Sequence, residues 1–282
     1  MSLVITGATG QLGRRVVSSL LARGIAADRI VAVGRDEARL GELGRLGVQT
    51  RRADYGDPAS VATALAGADR VLLISGSEVG QRLAQHQNVI AAAKAADVDL
   101  LAYTSISHAD TSGMILAQEH RATEEAIVAS GLPYAFLRNS WYIENYSDQL
   151  PTYLEHGTVL GAAGDGRVSA ATRDDFAEAA AAVLLTEAPR PVYELGGVGF
   201  TLPELAATVT EITGTTVTST ELPANELTGV LVAAGVPEPH AAVLADADLG
   251  LGRGELEVDP ADLEQLLGRP ATTLADTLRA AR

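Results

Sequence analysis

The sequence predicts an α/β fold: a doubly wound parallel sheet with helices on both faces, and a smaller C-terminal lobe. Three observations predict it. Short apolar, β-branched runs alternate with Ala/Leu-rich helical stretches through the first two-thirds of the 282 residues, and strands separated by single helices pair in parallel. A glycine-rich turn, Gly7-Ala8-Thr9-Gly10-Gln11-Leu12-Gly13, links the first run to the first helix. From Thr215 onward the alternation loosens.

The predicted strands are Leu3–Ile5, Arg29–Val33, Val48–Arg51, Arg70–Ile74, Leu100–Thr104 and Tyr134–Leu137, with Val192–Leu195 extending the sheet. The helices between them are Arg14–Arg23, Glu37–Leu46, Ser60–Leu65, Ala84–Ala95 and Glu119–Ser130, and Asp174–Thr186 precedes the last strand. Asp57-Pro58 starts one helix, Gly131 ends another, and Pro133 follows it. Thr201-Leu202-Pro203-Glu204 reads as a capping box for a helix to about Thr213. A strand at Val217–Glu221 then precedes helices near Glu226–Ala234, Glu238–Leu244, Asp259–Leu267 and Thr273–Ala281. Residues 1–140 read as a Rossmann-like NAD(P)-binding domain whose sheet is completed by residues 170–200, and residues 141–282 mainly as a substrate-side lobe.

Composition narrows the function. Apolar residues make up 47% of the chain, and no apolar run reaches the ~18 residues of a membrane span. No basic stretch followed by an apolar one opens the chain, so no secretory signal is expected. Cysteine is absent, which excludes disulfides, thiolate nucleophiles and cysteine-ligated metal and suits the cytoplasm. A formal charge of −15 speaks against nucleic acid, and it makes arginines near the glycine turn more telling.

The glycine turn lets backbone N–H groups approach a phosphate, and the helix N-terminus behind it adds positive charge. Gly7, Thr9, Gly10, Gln11, Leu12 and Gly13 are therefore candidate cofactor contacts. The spacing is G-x-x-G-x-x-G rather than G-x-G-x-x-G. Arg35 follows the second strand, where a guanidinium suits the 2′-phosphate of NADPH, while Asp36 beside it leaves NADH possible. Arg14 or Arg15 is placed to reach the phosphates. Asp54 follows the third strand and is a candidate for the adenine edge or a helix entry. Ser75, Gly76 and Ser77 follow the fourth strand; Tyr103 and Ser105 are expected at the end of the fifth. Ligands of open α/β sheets sit at such carboxyl ends.

One common catalytic device is missing. A Tyr-x-x-x-Lys pair needs a lysine, and the single lysine, Lys94, has Ile90 four residues before it. In the helix where the pair belongs, Leu116 and His120 occupy the places. A positioned acid is worth roughly 10²–10⁴ in rate. Its loss points to an acceptor that takes hydride readily and spreads the charge, such as a quinone, or to cofactor binding without turnover.

Several strings together resemble a known family: the glycine turn, Arg52-Ala53-Asp54-Tyr55-Gly56-Asp57, Leu72-Leu73-Ile74-Ser75, Ser77-Glu78-Val79-Gly80-Gln81-Arg82, Ala102-Tyr103-Thr104-Ser105, His108-Ala109-Asp110-Thr111-Ser112, Leu137-Arg138-Asn139-Ser140-Trp141-Tyr142-Ile143-Glu144-Asn145-Tyr146 and Gly161-Ala162-Ala163-Gly164-Asp165-Gly166. They look like the NAD(P)H:quinone oxidoreductase type 2 proteins. These belong to the atypical short-chain dehydrogenases that also include the NmrA-like co-regulators. The resemblance runs to about Gly196 and more loosely beyond. It implies NADPH as hydride donor, a small quinone as acceptor, and no need for flavin or metal. Ser140 departs from the glycine expected after Asn139 and narrows the acceptor space.

Six of the eleven aromatic residues fall between Tyr134 and Tyr153, favouring a flat apolar ligand near the loop after the sixth strand. Tyr134 and Phe136 read as core; Asn139, Trp141 and Tyr142 are the candidate catalytic residues, with Tyr146 beside them. Asn139 is also a candidate nicotinamide contact. Arg173 is expected to touch the cofactor, fix the Asn139 loop or pair with its acidic neighbours, and Asp174 to cap a helix. His108 and His120 are candidate proton relays. The competing readings are a non-catalytic NADP(H)-binding redox sensor and, more weakly, an epimerase, whose usual tyrosine base is missing. A homodimer is a possible assembly.

Overall fold

The computed structural model describes residues 1–78 and 80–282; Val79, within the Ser77-to-Arg82 string, lies outside the described residues. In chain order the strands are β1 (Leu3–Ile5), β2 (Ile30–Gly34), β3 (Gln49–Arg52), β4 (Arg70–Leu73), β5 (Leu100–Ile106), β6 (Tyr134–Asn139), β7 (Thr158–Gly161), β8 (Val192–Leu195) and β9 (Thr218–Glu221). The helices are α1 (Gln11–Ala22), α2 (Glu37–Gly44), α3 (Pro58–Leu65), α4 (Arg82–Ala95), α5 (Ile115–Ser130), α6 (Glu144–Ser147), α7 (Leu150–His156), α8 (Arg173–Leu185), α9 (Leu202–Thr213), α10 (Ala224–Ala233), α11 (Glu238–Gly252), α12 (Ala261–Leu267) and α13 (Leu274–Ala280).

Seven strands form one parallel sheet in the order β3-β2-β1-β4-β5-β6-β8. Side chains alternate across it, as the pleat requires. Leu3, Ile5, Ile30, Ala32, Leu72, Ala102 and Leu137 face one core with α1, α2 and α8. Val4, Val31, Val33, Val71, Leu73, Leu101 and Phe136 face the other with α3, α4 and α5. Burial on both faces explains why these strands read as continuous apolar runs. The order reverses between β1 and β4, and this switch point opens the crevice where ligands bind. The fold class is as the sequence predicts, and β8 completes the sheet.

A third core collects Ile143, Tyr146, Tyr153, Val159, Phe200, Leu205 and Leu251, bringing together α6, α7, β7, α9 and α11. Within this region β7 pairs in parallel with β9. The short elements α6, α7 and β7 escape the sequence reading: a four-residue strand has no periodicity of its own, and its partner lies far along the chain. Other differences are at ends. Arg29, the first residue of the predicted second strand, instead ends a 3-10 turn, Ala27–Arg29, and β2 starts at Ile30. Helix α5 begins at Ile115, α11 runs on to Gly252, and β5 continues to Ile106. Several caps agree: Asp57 accepts from Ala59 and Ser60 N–H, Gly131 takes the left-handed conformation, and Thr201 and Glu204 form both halves of the capping box. Asp174 is not the cap of α8. Thr172 accepts the Asp175 N–H, and Asp174, in the first turn, pairs with Arg15 at 2.9 Å.

One buried ion cluster ties β6 to its surroundings. Arg138 donates to both oxygens of Glu124 on α5, at 3.0 and 2.7 Å, and to Asp110 and Glu194 at 3.0 Å each. Arg138 and Glu124 are both buried. Arg138→Met leaves a buried carboxylate without its cation and should cost about 3–5 kcal/mol in urea unfolding. Adding Glu124→Leu to that variant should recover most of the loss, because the unpaired charge is then gone.

Candidate functional site

The turn after β1 is shaped by two glycines. Gly7 has φ +62°, and a Cβ on Gly13 would lie 2.4 Å from the Gly7 carbonyl oxygen, so α1 packs directly against the turn. Leu12 holds the helix down from the other side, its side chain buried in the sheet core. Gly10 caps α1 without a side chain, and no acidic residue stands in the first turn. The amides of Gln11, Leu12 and Gly13 therefore point out with no side-chain acceptor, the condition under which a helix N-terminus takes an anion. Leu12 and Gly13, also expected as contacts, do not line the cleft above the turn; only their backbone amides stand free at this helix end.

A cleft of about 300 Å³ opens above this turn. Gly7, Thr9, Gly10 and Gln11 form its floor, Arg35 and Asp54 one wall, and Ser75, Gly76 and Ser77 the other. Nine of the predicted contacts thus come together. Tyr55 and Ile74, within the stretches expected here, also line it, and so do Glu78 and Gln85, which the sequence reading misses. Tyr55 donates its hydroxyl to the Ile74 carbonyl at 3.0 Å and also meets the Thr6 hydroxyl, which holds the ends of β1 and β4 in register. Burial pushes its phenol well above the usual range.

The wall at Ser75–Ser77 is fixed from below. His86 Nε2 accepts the Gly76 N–H at 3.0 Å, so its proton sits on Nδ1, which donates to the Thr123 hydroxyl at 3.0 Å. Arg82 donates Nε–H to the Gly76 carbonyl at 2.8 Å. Burial, with Arg82 nearby, lowers the His86 pKa to about 3. On the opposite wall Asp36 caps α2 by accepting the Arg39 N–H at 3.1 Å, which commits one carboxylate oxygen to the helix. Asp54 accepts the Gly56 N–H at 2.8 Å and lies 3.9 Å from Arg35.

Tyr103 and Ser105 do not line this cleft. Both lie inside β5, which runs to Ile106, and both point toward α5. Tyr103 is fully buried, its hydroxyl 2.7 Å from His120 Nδ1, and Ser105 donates to Glu124 at 2.6 Å. Neither histidine of the expected relay lines this cleft or the cavity beside Trp141 described below. Burial drives the His120 pKa far down, and His108 Nε2 sits 2.9 Å from the Glu257 carbonyl. Arg173 lies outside the cleft too: it pairs with Glu144 at 3.6 Å, donates to Asn145 at 3.2 Å and covers the Tyr142 ring at 4.6 Å. It fixes the loop after β6.

That loop sends its aromatic residues in two directions. Tyr142 turns its ring edge to Phe176 at 5.6 Å and lines neither cavity, a correction to its expected pocket role. Trp141 and Tyr146 face a second cavity, of about 380 Å³, with Tyr153, Leu202, Leu227 and Asp248. Its charged lining groups are Glu144, Asp148 and Asp248, with no basic residue. Asp248 accepts the Ala162 N–H at 2.9 Å, yet burial still raises its pKa to about 6. Burial, then Asp248, pushes the Tyr153 hydroxyl upward. Asn139, the last residue of β6, is buried and its Oδ1 has no partner. Ser140 does not narrow the acceptor space as expected: its hydroxyl donates to the Leu256 carbonyl at 2.7 Å and anchors the C-terminal segment.

The family model for NAD(P)H-binding proteins matches residues 7–187. Over 279 residues the chain is 48% identical to Quinone oxidoreductase 2 of Escherichia coli (strain K12), covering 98% of this chain and 97% of that protein. It superposes with TM-score 0.96 on the crystal structure of an NADPH-dependent quinone oxidoreductase from Escherichia coli complexed with NADPH, at 47% identity over 99% of both chains. A triphenylmethane reductase from Citrobacter sp., complexed with NADP(H), superposes at 0.95 with 37% identity over the whole of both chains.

The buried neutral histidines set an acid limit. Between about pH 6.5 and 3 the unfolded chain carries a proton on His86 that the folded chain refuses, so stability falls as pH drops through that window. His120 acts with the same sign. Asp248, raised to about 6, opposes them, since its folded form takes up a proton first. Each histidine removes about 1.4 kcal/mol per pH unit where the slope is full. Urea unfolding should show lower stability at about pH 5 than at about pH 7, and His86→Gln should flatten that slope.

Proposed function

The chain belongs to the NAD(P)H-binding family, and from that premise we propose that it is an NADPH-dependent quinone reductase, passing hydride directly to a small quinone. The observation that carries the reading is the uncapped first turn of α1, opening through Gly7, Gly10 and Gln11 into a cleft with Arg35 at its edge. The first-turn amides hold the diphosphate and Arg35 takes the 2′-phosphate. Asp54 and Ser75–Ser77 line the adenosine and ribose side. Bound reduced nicotinamide supplies the hydride. Asn139, at the end of β6, lines neither cavity; its proposed role at the reacting end rests on its unpartnered Oδ1, which suits an amide N–H.

The acceptor enters the cavity beside Trp141, two residues beyond the end of β6. Trp141, Tyr146 and Tyr153 offer ring faces, and Leu202, Leu227 and Leu231 the apolar walls. A sensor without turnover has no use for such a cavity. Residues 1–140 thus serve the cofactor and residues 141–282 mainly the acceptor. Absent cysteine and a charge of −15 support action in the cytoplasm, away from nucleic acid. A homodimer is tested by sedimentation.

NADPH absorbance should fall when benzoquinone is added to the purified protein; no loss with any neutral quinone would overturn the reading. Trp141→Ala should raise the quinone KM about tenfold, while the NADPH dissociation constant stays within about twofold. The acidic lining of the cavity repels anions, so a sulfonated naphthoquinone should show kcat/KM at least about tenfold below its neutral parent. Asp248→Asn should narrow that gap.

A further inference from the structure

Arg35 is the one basic residue among those lining the cofactor cleft, and it is already engaged. Its Nη1 donates to Glu78 Oε1 at 2.8 Å, a shorter contact than the 3.9 Å to Asp54. The other oxygen of Glu78 accepts from Gln85 Nε2 at 2.8 Å. Gln85 is buried on α4, in the helix that also carries His86 and Arg82 against the Gly76 loop. Glu78 is therefore held at both ends. It spans from the wall after β4 to the guanidinium after β2, across the place where the ribose end of a dinucleotide meets Arg35.

We propose that Glu78 is a specificity-determining residue that sets the balance between NADPH and NADH by competing with the 2′-phosphate for Arg35. This rests on the reading of the cleft given above. Carboxylate and phosphate both seek the same fork of N–H donors. A 2′-phosphate reaching Arg35 must displace the Glu78 carboxylate or lie beside it as a like charge; either cost is specific to the phosphate. A ribose carrying only hydroxyls brings no charge, and carboxylate oxygens accept from hydroxyls readily. Asp36 cannot take over this role freely, because its carboxylate caps α2 and pairs with Arg39 at 3.4 Å. The chain thus carries a phosphate-binding arginine and, opposing it, an acid that moderates its preference.

Glu78→Gln keeps the length and the planar group and removes the charge. Fluorescence titration of the intact protein with NADPH and with NADH reads the effect. Glu78 is partly exposed and Arg35 mostly so, at 40% and 60% of the side chain, so the change is moderate. The variant should bind NADPH about three- to tenfold more tightly and NADH within about twofold of the parent. The gain should shrink as salt is raised, because exposed charges are screened. With Arg35→Ala already in place, Glu78→Gln should give a smaller gain. An unchanged NADPH-to-NADH ratio in Glu78→Gln overturns the proposal, as does a parallel loss of both nucleotides, which would assign Glu78 a purely structural role. If the parent binds neither nucleotide, the reading of the cleft itself fails instead.

Discussion

The rest of the site depends on how closely α1 approaches the end of β1. Gly13 lies against the Gly7 carbonyl with no room for a Cβ, and Gly7 itself takes a left-handed backbone. With a larger residue at Gly13 the helix would have to back away, and its first-turn amides would leave the crevice between β1 and β4. Leu12, facing inward from the same turn, makes the approach favourable by burying its side chain in the core under the sheet. Steric absence on one face and apolar burial on the other together aim three N–H groups at one spot. The Thr6, Tyr55 and Ile74 hydrogen bonds then fix the facing strand end at the same level.

The second cavity is built on a different principle. It lies between elements that meet only in the folded chain: Trp141 comes from the loop after β6, Leu202 from α9, and Asp248 from α11. Their relative placement relies on polar ties rather than on one sheet. Ser140 binds the Leu256 carbonyl, Ser169 bridges to Val258 in both directions, and Arg138 joins β6 to α5 and β8. These ties bring the C-terminal segment back to the end of β6. Asn139 at that end is followed directly by Ser140 and Trp141, so one short stretch runs from the end of β6 through the tie to Leu256 to the second cavity.

What the sequence revealed and what it concealed follow from this difference. The glycine turn, Arg35, Asp54 and Ser75–Ser77 are legible because each sits immediately after a strand whose end local patterning marks. Tyr103 and Ser105 differ from the sequence expectation for the same reason: the apolar pattern of β5 hides where it stops, and a strand running to Ile106 keeps both residues inside the sheet. Period-two alternation then sends them to the α5 face. Trp141 was legible as one aromatic in a cluster, but its separation from Tyr142 was not, since adjacent residues of an extended segment face opposite ways. Asp248, Glu78 and Gln85 gave no signal, because their roles arise from neighbours brought together only by folding.

The fate of the histidines bears on the chemistry. His86 and His120 are consumed as neutral scaffold, one accepting a backbone N–H and the other facing Tyr103, and burial keeps both uncharged. His108 is tied to the Glu257 carbonyl. The tyrosines of the second cavity have hydroxyls pushed upward by burial, which makes them poor proton donors. That leaves Asp248, whose pKa of about 6 lets it carry a proton for part of the time near neutral pH, and solvent at the mouth. Under the proposed function an acceptor in this cavity receives little acid assistance, so it must stabilise added negative charge itself. Quinones do this through their conjugated second carbonyl. The same acidic lining disfavours an anionic acceptor. Weak proton supply and a negative field thus select together for a neutral, electron-poor ring.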